Sequence, residues 1–528
     1  MKKNSTSNKI YNFISKNFAT IALVLIIVLA IIFRFYQLNT LPPGLHPDEA
    51  ANGLDIFKIL ENHDIRVIYN TNGPRESLFF FFQAAFVKLL GNTILALRMA
   101  PALFGVLAVV FVYLYTKDWF GRRTALLASF MMAVNPWVVT ISRDGFRASM
   151  VPLMIALVAF FAGRAYKTQK TWYFVAAAVA FGLGFYTYTA FIMFTLVVLG
   201  GLLYMLIARR KWLKANLNKL LISLGVFLIV IAPLGYTVVT KPGDSTARAG
   251  GTSFLNPNLN GGSPALALLE STGKTLLQYS YYGDENSRHN LPGLPLLNTF
   301  SSIMLLLGLL VCFASFKRVK YVAVLGMFFA MMLPSVLTAE GLPHALRSIG
   351  TAASVFTIAA VGIDYLLVRW YKTFPVNALA RNIGAITVMF LLFLSTVIGY
   401  RQYFVAWAQD PATYEAYSEN MVQIGYYLNA NNSQNKFLIA GGYEAVPTEY
   451  ITHSKTKYEL LDTTKLQSQP LQTSPTLYVF AGNDSSNSVI DILKAKYPDG
   501  VLTSHYSSFN DKLLYYTFTA GQNNTPTQ

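Results

Sequence analysis

The stretch TWYFVAAAVAFGLGFYTYTAFIMFTLVVLGGLLYMLIA, Thr171 to Ala208, runs for 38 residues without a charged side chain. A helix rises about 1.5 Å per residue and the hydrocarbon core of a bilayer is about 30 Å thick, so about 20 apolar residues cross it. This stretch is too long for one crossing and suits two, joined by a turn near Tyr186 to Thr189. Similar apolar runs recur along the 528-residue chain, which is 54% hydrophobic and only 13% charged. Soluble domains carry about 25% charged residues. The sequence therefore specifies an α-helical polytopic membrane protein. Its net charge of +17 does not point to nucleic acid, because the basic residues sit in short loops between apolar runs. The single cysteine, Cys312, lies inside an apolar run, which leaves no disulfide framework and no cysteine-based metal site.

Working outward from that stretch fixes the topology. Lys2, Lys3, Lys9 and Lys16 precede the first apolar segment, Phe18 to Tyr36, and no small-residue cleavage site follows it. It reads as a retained span with a cytoplasmic N-terminus. Ten further spans read at about 97–116, 124–141, 148–165, 172–188, 190–208, 220–240, 297–316, 321–339, 348–368 and 382–401. The segment Ser77 to Gly91 is apolar but short and contains Lys88. Were it to span, every later loop would change sides. Placed in the outer interface, it leaves 21 Lys+Arg and one acid, Asp118, on the inner side. The positive-inside tendency selects that arrangement: eleven spans in the cell membrane, N-terminus cytoplasmic, C-terminus extracytoplasmic. Asp364, an acid within a span, is expected near the inner end with a basic partner.

Three outer segments are then large: about 38–95, about 241–296, and 402–528. The last holds 7 Lys+Arg and 11 Asp+Glu, whereas residues 1–401 are strongly basic. Its pattern also changes. TYEAYSENMVQIGYYLNA reads as one amphipathic helix, KFLIAGG, TLYVFAG and KLLYYTFTAG as short strands ending at glycine, and VIDILKAKY as a helix between strands. Residues 1–401 are thus expected to form a membrane module and 402–528 a small extracytoplasmic α/β domain.

Four outer constellations can carry chemistry. In HPDEAANGLDIFKIL, Pro47 suits a first helical position and Asp48 and Glu49 suit the positive end of the helix dipole. Such acids commonly serve only as caps; alternatively one acts as general base or metal ligand. Ala50, Leu54, Phe57 and Leu60 form a stripe suited to the membrane surface. In NPWVVTISRDGFRASM, Arg143, Asp144 and Arg147 fall at a turn between spans, where they anchor helix ends or bind a phosphate. YYGDENSRHNLPG supplies Asp284, Arg288 and His289. TAEGLPHALRSIG supplies Glu340, His344 and Arg347, with the last two expected on one face of a starting helix. All four fall on one side of the membrane. Arg143, Arg147, Arg288, His289, His344 and Arg347 make a cationic set suited to a lipid-tethered phosphate; Asp48, Glu49 and Asp144 make an acidic set suited to deprotonating a hydroxyl. The pairing is what sugar transfer from a lipid phosphate requires. A transporter or flippase is the alternative, but charges crowd the outer ends rather than mid-membrane and no repeat is visible. A non-catalytic scaffold would leave the outer charges without a purpose.

The residues HPDEAANGLDI, GPRESLFFFFQAAFVKLLG followed by LALRMAPALFGVL, NPWVVTISRDGFR and GLPHALRSIG resemble the GT-C class of integral membrane glycosyltransferases. The resemblance is to the bacterial branch of protein O-mannosyltransferases and aminoarabinose transferases (family 39-like), over most of residues 34–350. It implies a polyprenyl-phosphate-linked sugar donor, an acceptor hydroxyl on protein, glycan or lipid, transfer on the outer face, and inversion. By position, Asp48 matches the family's catalytic acid, Glu49 its neighbour, and Asp144 the acid of the second outer loop. Arg75 and Glu76 stand where aminoarabinose transferases carry a Lys-Pro-Pro-type motif, which makes them substrate-binding candidates and departs from that specificity. A divalent metal stays open, since members using sugar monophosphate donors generally dispense with one and oligosaccharide-transferring relatives do not.

Overall fold

The computed structural model describes residues 4–241, 251–433, 435–507 and 511–521. Lys2, Lys3 and residues 242–250 of the second outer segment lie outside the described residues. Among the described residues, eight helices are long and apolar enough to cross a membrane. A bent pair, α5 (Arg122–Val134) and α6 (Pro136–Arg143), at 59° to each other, has the combined length and composition of a ninth. Two expected spans are shorter: Thr171–Gly184 has 14 residues and Thr299–Ala314 has 16. The first gives way to a turn and a short 3-10 helix, Thr189–Met193. The second starts late because Asn298 caps it, accepting the Ser301 N–H at 2.9 Å. Together these segments occupy the eleven expected positions. On the helix Leu217–Thr240, Leu221, Leu224, Leu228 and Ile229 are all exposed. An apolar face of that kind is stable against lipid and not against water. The chain is a multi-pass membrane protein.

It divides into two compact units. The first comprises residues 1–36, 65–82 and 99–407 and is helical. It contains α1 (Asn4–Phe35) and most of the spans. The helix Ala352–Thr373 is almost wholly buried along Ala352 to Ile363 and packs on Thr299–Ala314. Glycines permit the approach: a Cβ on Gly308 would run into the Ile358 carbonyl, and one on Gly362 into the Met304 carbonyl. Asp364 finds its basic partner, Arg123, at 2.5 Å.

The α5–α6 bend has a chemical cause. Pro136 lacks the N–H that would bond the carbonyl four residues back. Arg34, wholly buried near the end of α1, supplies donors instead: Nη2 to the Met132 carbonyl at 3.3 Å and Nη1 to that of Ala133 at 2.9 Å. Asn135 caps the new start, accepting the Val138 N–H at 3.2 Å.

The second unit comprises residues 37–64, 83–98 and 408–528. Its sheet has the order β4-β3-β5-β7-β6, from β3 (Asn435–Ile439), β4 (Glu459–Leu461), β5 (Thr476–Ala481), β6 (Val501–Tyr506) and β7 (Leu513–Ala520). β3 pairs in parallel with β4 and β5; β7 runs antiparallel to β5 and β6. Strand alternation sends Leu438, Leu477 and Val479 to one core with Met421, Ile424 and Leu428, and Phe437, Ile439, Tyr478 and Phe480 to another with Val489 and Leu493. The expected helix over 413–430 is broken: Pro411–Ala416 ends, Ser418 takes φ +46°, and Glu419–Ala430 begins. Helix α2 (Pro47–Asn62) belongs to this unit, and its stripe does not lie bare for a membrane surface. Phe57 stacks on Tyr450 at 5.3 Å and on His453 at 3.9 Å, and the Tyr450 ring covers Gly53.

Candidate active site

The acid pair sits at the start of α2, where His46 is the cap. The His46 ring accepts the Asp48 N–H at 3.0 Å, and the His46 N–H donates to Glu49 Oε2 at 3.3 Å. From there the two acids diverge. Glu49 is buried and paired with Arg98, itself fully buried: Nη2 to Oε2 is 3.1 Å and Nε to Oε1 is 3.4 Å. Arg98 also donates to the carbonyls of Pro42 at 2.7 Å and Gly44 at 2.8 Å. One guanidinium thus fastens the loop before α2 to the acid within it. Asp48 keeps 35% of its side chain exposed, and its Oδ1 accepts the Tyr443 hydroxyl at 3.0 Å.

In the first unit the structure brings three of the sequence constellations together. The 143–147 turn touches the 284–289 loop through Phe146, whose ring lies 5.7 Å from that of His289 and under the Arg288 guanidinium at 6.0 Å. The His289 ring stacks on His344 at 4.8 Å. Asp284 organises this meeting. Its Oδ2 accepts from His289 Nδ1 at 2.7 Å and from the Ala345 N–H at 2.8 Å, and its Oδ1 from the Asn286 N–H at 2.8 Å. His344 lies in irregular backbone and Arg347 in a turn rather than on a starting helix, which begins only at Ile349 as a 3-10 turn. Arg347 pairs with Glu340 at 3.0 Å. Burial holds His289 below the ordinary imidazole range; Asp284 opposes this, and Arg288 and Arg347 reinforce it.

The remaining residues have different surroundings. Arg143 is fully buried, donating to the Phe33 carbonyl at 3.1 Å and the Tyr403 hydroxyl at 2.9 Å. Asp144 is fully buried at the C-terminal end of α6. Arg147 is ion-paired with Glu76, which also accepts the Thr189 hydroxyl at 3.0 Å. Arg75 donates to the Asn72 carbonyl at 3.2 Å and forms with Glu76 strand β2 (Arg75–Glu76), paired with β1 (Ile68–Tyr69). Sequence reasoning missed Arg34, Arg98, Tyr403 and Tyr443. The two arginines left one signal: each interrupts an apolar run, so each needs a partner if buried. The tyrosines left none.

Among the described residues, one set of three groups is close enough to hold a metal: Asp284, His289 and His344, with ligand atoms within 4.8 Å of one another. As arranged, it does not fit one. The Asp284 oxygen a metal would need already accepts two hydrogen bonds, and two guanidiniums add positive charge beside it.

The apolar crossings and the sheet unit at the chain's C-terminal end have the architecture of a GT-C fold. Comparison with known proteins gives the particulars. ArnT of Cupriavidus metallidurans, solved bound to undecaprenyl phosphate, matches over 94% of this chain and 97% of its own, with a TM-score of 0.55 and 13% identity. The oligosaccharyltransferase of Archaeoglobus fulgidus, in the apo form, matches over 84% of this chain and 64% of its own, with a TM-score of 0.56 and 12% identity. At such identities the likeness is one of fold. Residues 75–236 match the family described as dolichyl-phosphate-mannose-protein mannosyltransferase. YkcB of Bacillus subtilis (strain 168), whose assignment as a mannosyltransferase is itself provisional, is 30% identical over 132 residues, 25% of this chain. The match spans only 18% of YkcB's length, so activity is argued from the residues.

Proposed function

We propose that the protein is a glycosyltransferase that moves a sugar from a polyprenyl-phosphate donor to a hydroxyl acceptor on the outer face of the cell membrane, with inversion. The observation that carries this reading is the division of labour in the acid pair: Glu49 is committed to Arg98, while Asp48 is partly exposed and held by a hydroxyl. Asp48 then takes the proton from the acceptor hydroxyl as its oxygen attacks the anomeric carbon. The bond from that carbon to the phosphate oxygen breaks, and the polyprenyl phosphate leaves with the bonding pair. Arg147, Arg288, His344 and Arg347 neutralise the departing phosphate. Arg143, His289 and Glu49 hold the surrounding backbone in place, as their buried bonds suggest. Asp144, Arg75 and Glu76 stay candidates for orienting the substrates. The ArnT structure with undecaprenyl phosphate and the mannosyltransferase match favour this donor class. The basic inner loops favour a cytoplasmic N-terminus and an outer C-terminal region.

The test uses purified full-length protein, undecaprenyl-phosphate mannose as probe, and an extract of the host envelope as acceptor. Release of undecaprenyl phosphate is expected, falling about 10²–10⁴-fold in Asp48→Asn, the ordinary worth of a general base. An Asp48→Asn protein as active as the parent overturns the base assignment. Labelled lipid crossing vesicles without release of phosphate identifies a flippase instead.

A further inference from the structure

From the geometry of the second unit we infer that Tyr443 is a positioning residue for Asp48, so that the C-terminal α/β region completes the reaction centre; the inference rests on the base reading above. Tyr443 is 395 positions from Asp48, yet its hydroxyl donates to Asp48 Oδ1 at 3.0 Å. The contact is held from both sides. On one side, Asp48 is fixed by the His46 cap and by the Glu49–Arg98 pair beside it. On the other, Tyr443 lies on the loop that leaves β3 for the helix Val446–Thr452, and that helix is clamped to α2. The clamp consists of the Phe57 ring stacked on Tyr450 and His453, the His453–Glu61 contact at 2.9 Å, the Tyr450 hydroxyl on the Thr93 carbonyl at 3.2 Å, and Asn92 on the His453 carbonyl at 3.0 Å. Tyr443 is therefore brought to Asp48 by a braced segment even though 55% of it is exposed.

The topology agrees. β3 sends the chain to β4 on one side, and β5 sends it towards β6 on the other. The carboxyl ends of two such diverging strands form the crevice where open α/β sheets bind ligands. Tyr443 stands in the loop at the carboxyl end of β3. A hydroxyl donating to one carboxylate oxygen fixes the rotation of the group and favours its charged form, the form a base must have. Among the described residues, His46 Nδ1 lies 3.8 Å from Asp48 Oδ2, Glu49 follows Asp48 in the chain, and Glu444 follows Tyr443.

The experiment compares Tyr443→Phe with the parent and with Asp48→Asn, in full-length protein with undecaprenyl-phosphate mannose as donor. Tyr443→Phe is expected to lower kcat about tenfold or more, the worth of one hydrogen bond to a charged group, with the donor KM unchanged. The acid limb of its kcat–pH profile is expected at higher pH than the parent's, since the carboxylate loses a donor. His46 is ionisable and lies 3.8 Å from Asp48, so the profile is repeated in a His46→Asn background, where the upward move must persist. Only a hydroxyl on an exposed ring is removed, so unfolding should be unchanged. A Tyr443→Phe protein whose kcat and acid limb match the parent's, while Asp48→Asn is inactive, overturns the positioning role alone. A fall in rate with an unmoved limb and a raised KM also overturns it, as a mere packing effect. An active Asp48→Asn removes the base reading first and this inference with it.

Discussion

Two short stretches carry paired charges of one sign, and the structure splits both pairs. At the start of α2, Glu49 is buried on Arg98 while Asp48 stays accessible beside Tyr443. At the end of α6, Arg143 is fully buried on a carbonyl and a phenol, while Arg147, just beyond the helix and 8% exposed, faces Glu76. In each case one charge holds backbone, and the proposed function assigns the chemistry to the other. The difference lies in what the anchoring charge meets. Glu49 meets an opposite charge; Arg143 donates to the Phe33 carbonyl and the Tyr403 hydroxyl, and Arg34 to the Met132 and Ala133 carbonyls. Like residues close in a motif therefore meet different surroundings: α2 turns Asp48 and Glu49 to different faces, and Arg143 and Arg147 fall in different elements.

The comparison breaks most sharply at Arg98. Arg98→Ala removes one partner of a buried pair and two donors to loop carbonyls. It should destabilise the protein by about 3–5 kcal/mol, as removal of one partner from a buried ion pair does. Denaturant unfolding of the full-length protein measures this. Asp48→Asn should stay within about 0.5 kcal/mol of the parent, as substitutions away from buried features do. If Asp48→Asn proves as destabilising as Arg98→Ala, the two acids are alike and the split is wrong.

The second contrast is sharpened by exchanging charges. Arg147→Gln leaves Glu76 without its partner and should cost about 2 kcal/mol of stability, the range for losing a bond to a charged group. Exchange through Glu76→Arg with Arg147→Glu should recover most of that stability in unfolding, since the pair is restored in reverse. Release of polyprenyl phosphate should not recover, because the cation no longer sits on the 143–147 turn. Full recovery of activity would make Arg147 an anchor like Arg143.

The legibility of these features follows their range. The spans were readable because apolar length is a local property, and β3, β5 and β7 because their apolar runs end at glycine. β4 has three residues and β6 is mostly exposed, so neither carries a pattern. The break at Ser418 left no proline or glycine at that position to announce it. The acid pair was visible; its division was not, since it depends on Arg98, 49 positions away, and Tyr443, 395 positions away. The meeting of the 143–147, 284–289 and 344–347 segments was expected only as a common side of the membrane. What joins them is Asp284, which in the sequence looks like any acid in a polar loop.

That acid leads to the smallest expected effect, and one with a definite sign. His289 is buried and its folded pKa lies below the unfolded value of about 6.5. Above that value both states hold the imidazole neutral, and its burial carries no protonation penalty. As pH falls below about 6.5, the unfolded chain takes up the proton first, so stability declines until the folded pKa is reached. A modest loss of unfolding stability is therefore expected between neutral and mildly acid pH. His289→Asn should flatten this dependence, because asparagine can still donate to Asp284 and does not titrate. If instead the parent gains stability on acidification in this range, the Asp284–His289 pair is acting as a charged pair. The 284–289 loop would then be held by an ion pair, as the α2 loop is by Glu49 and Arg98.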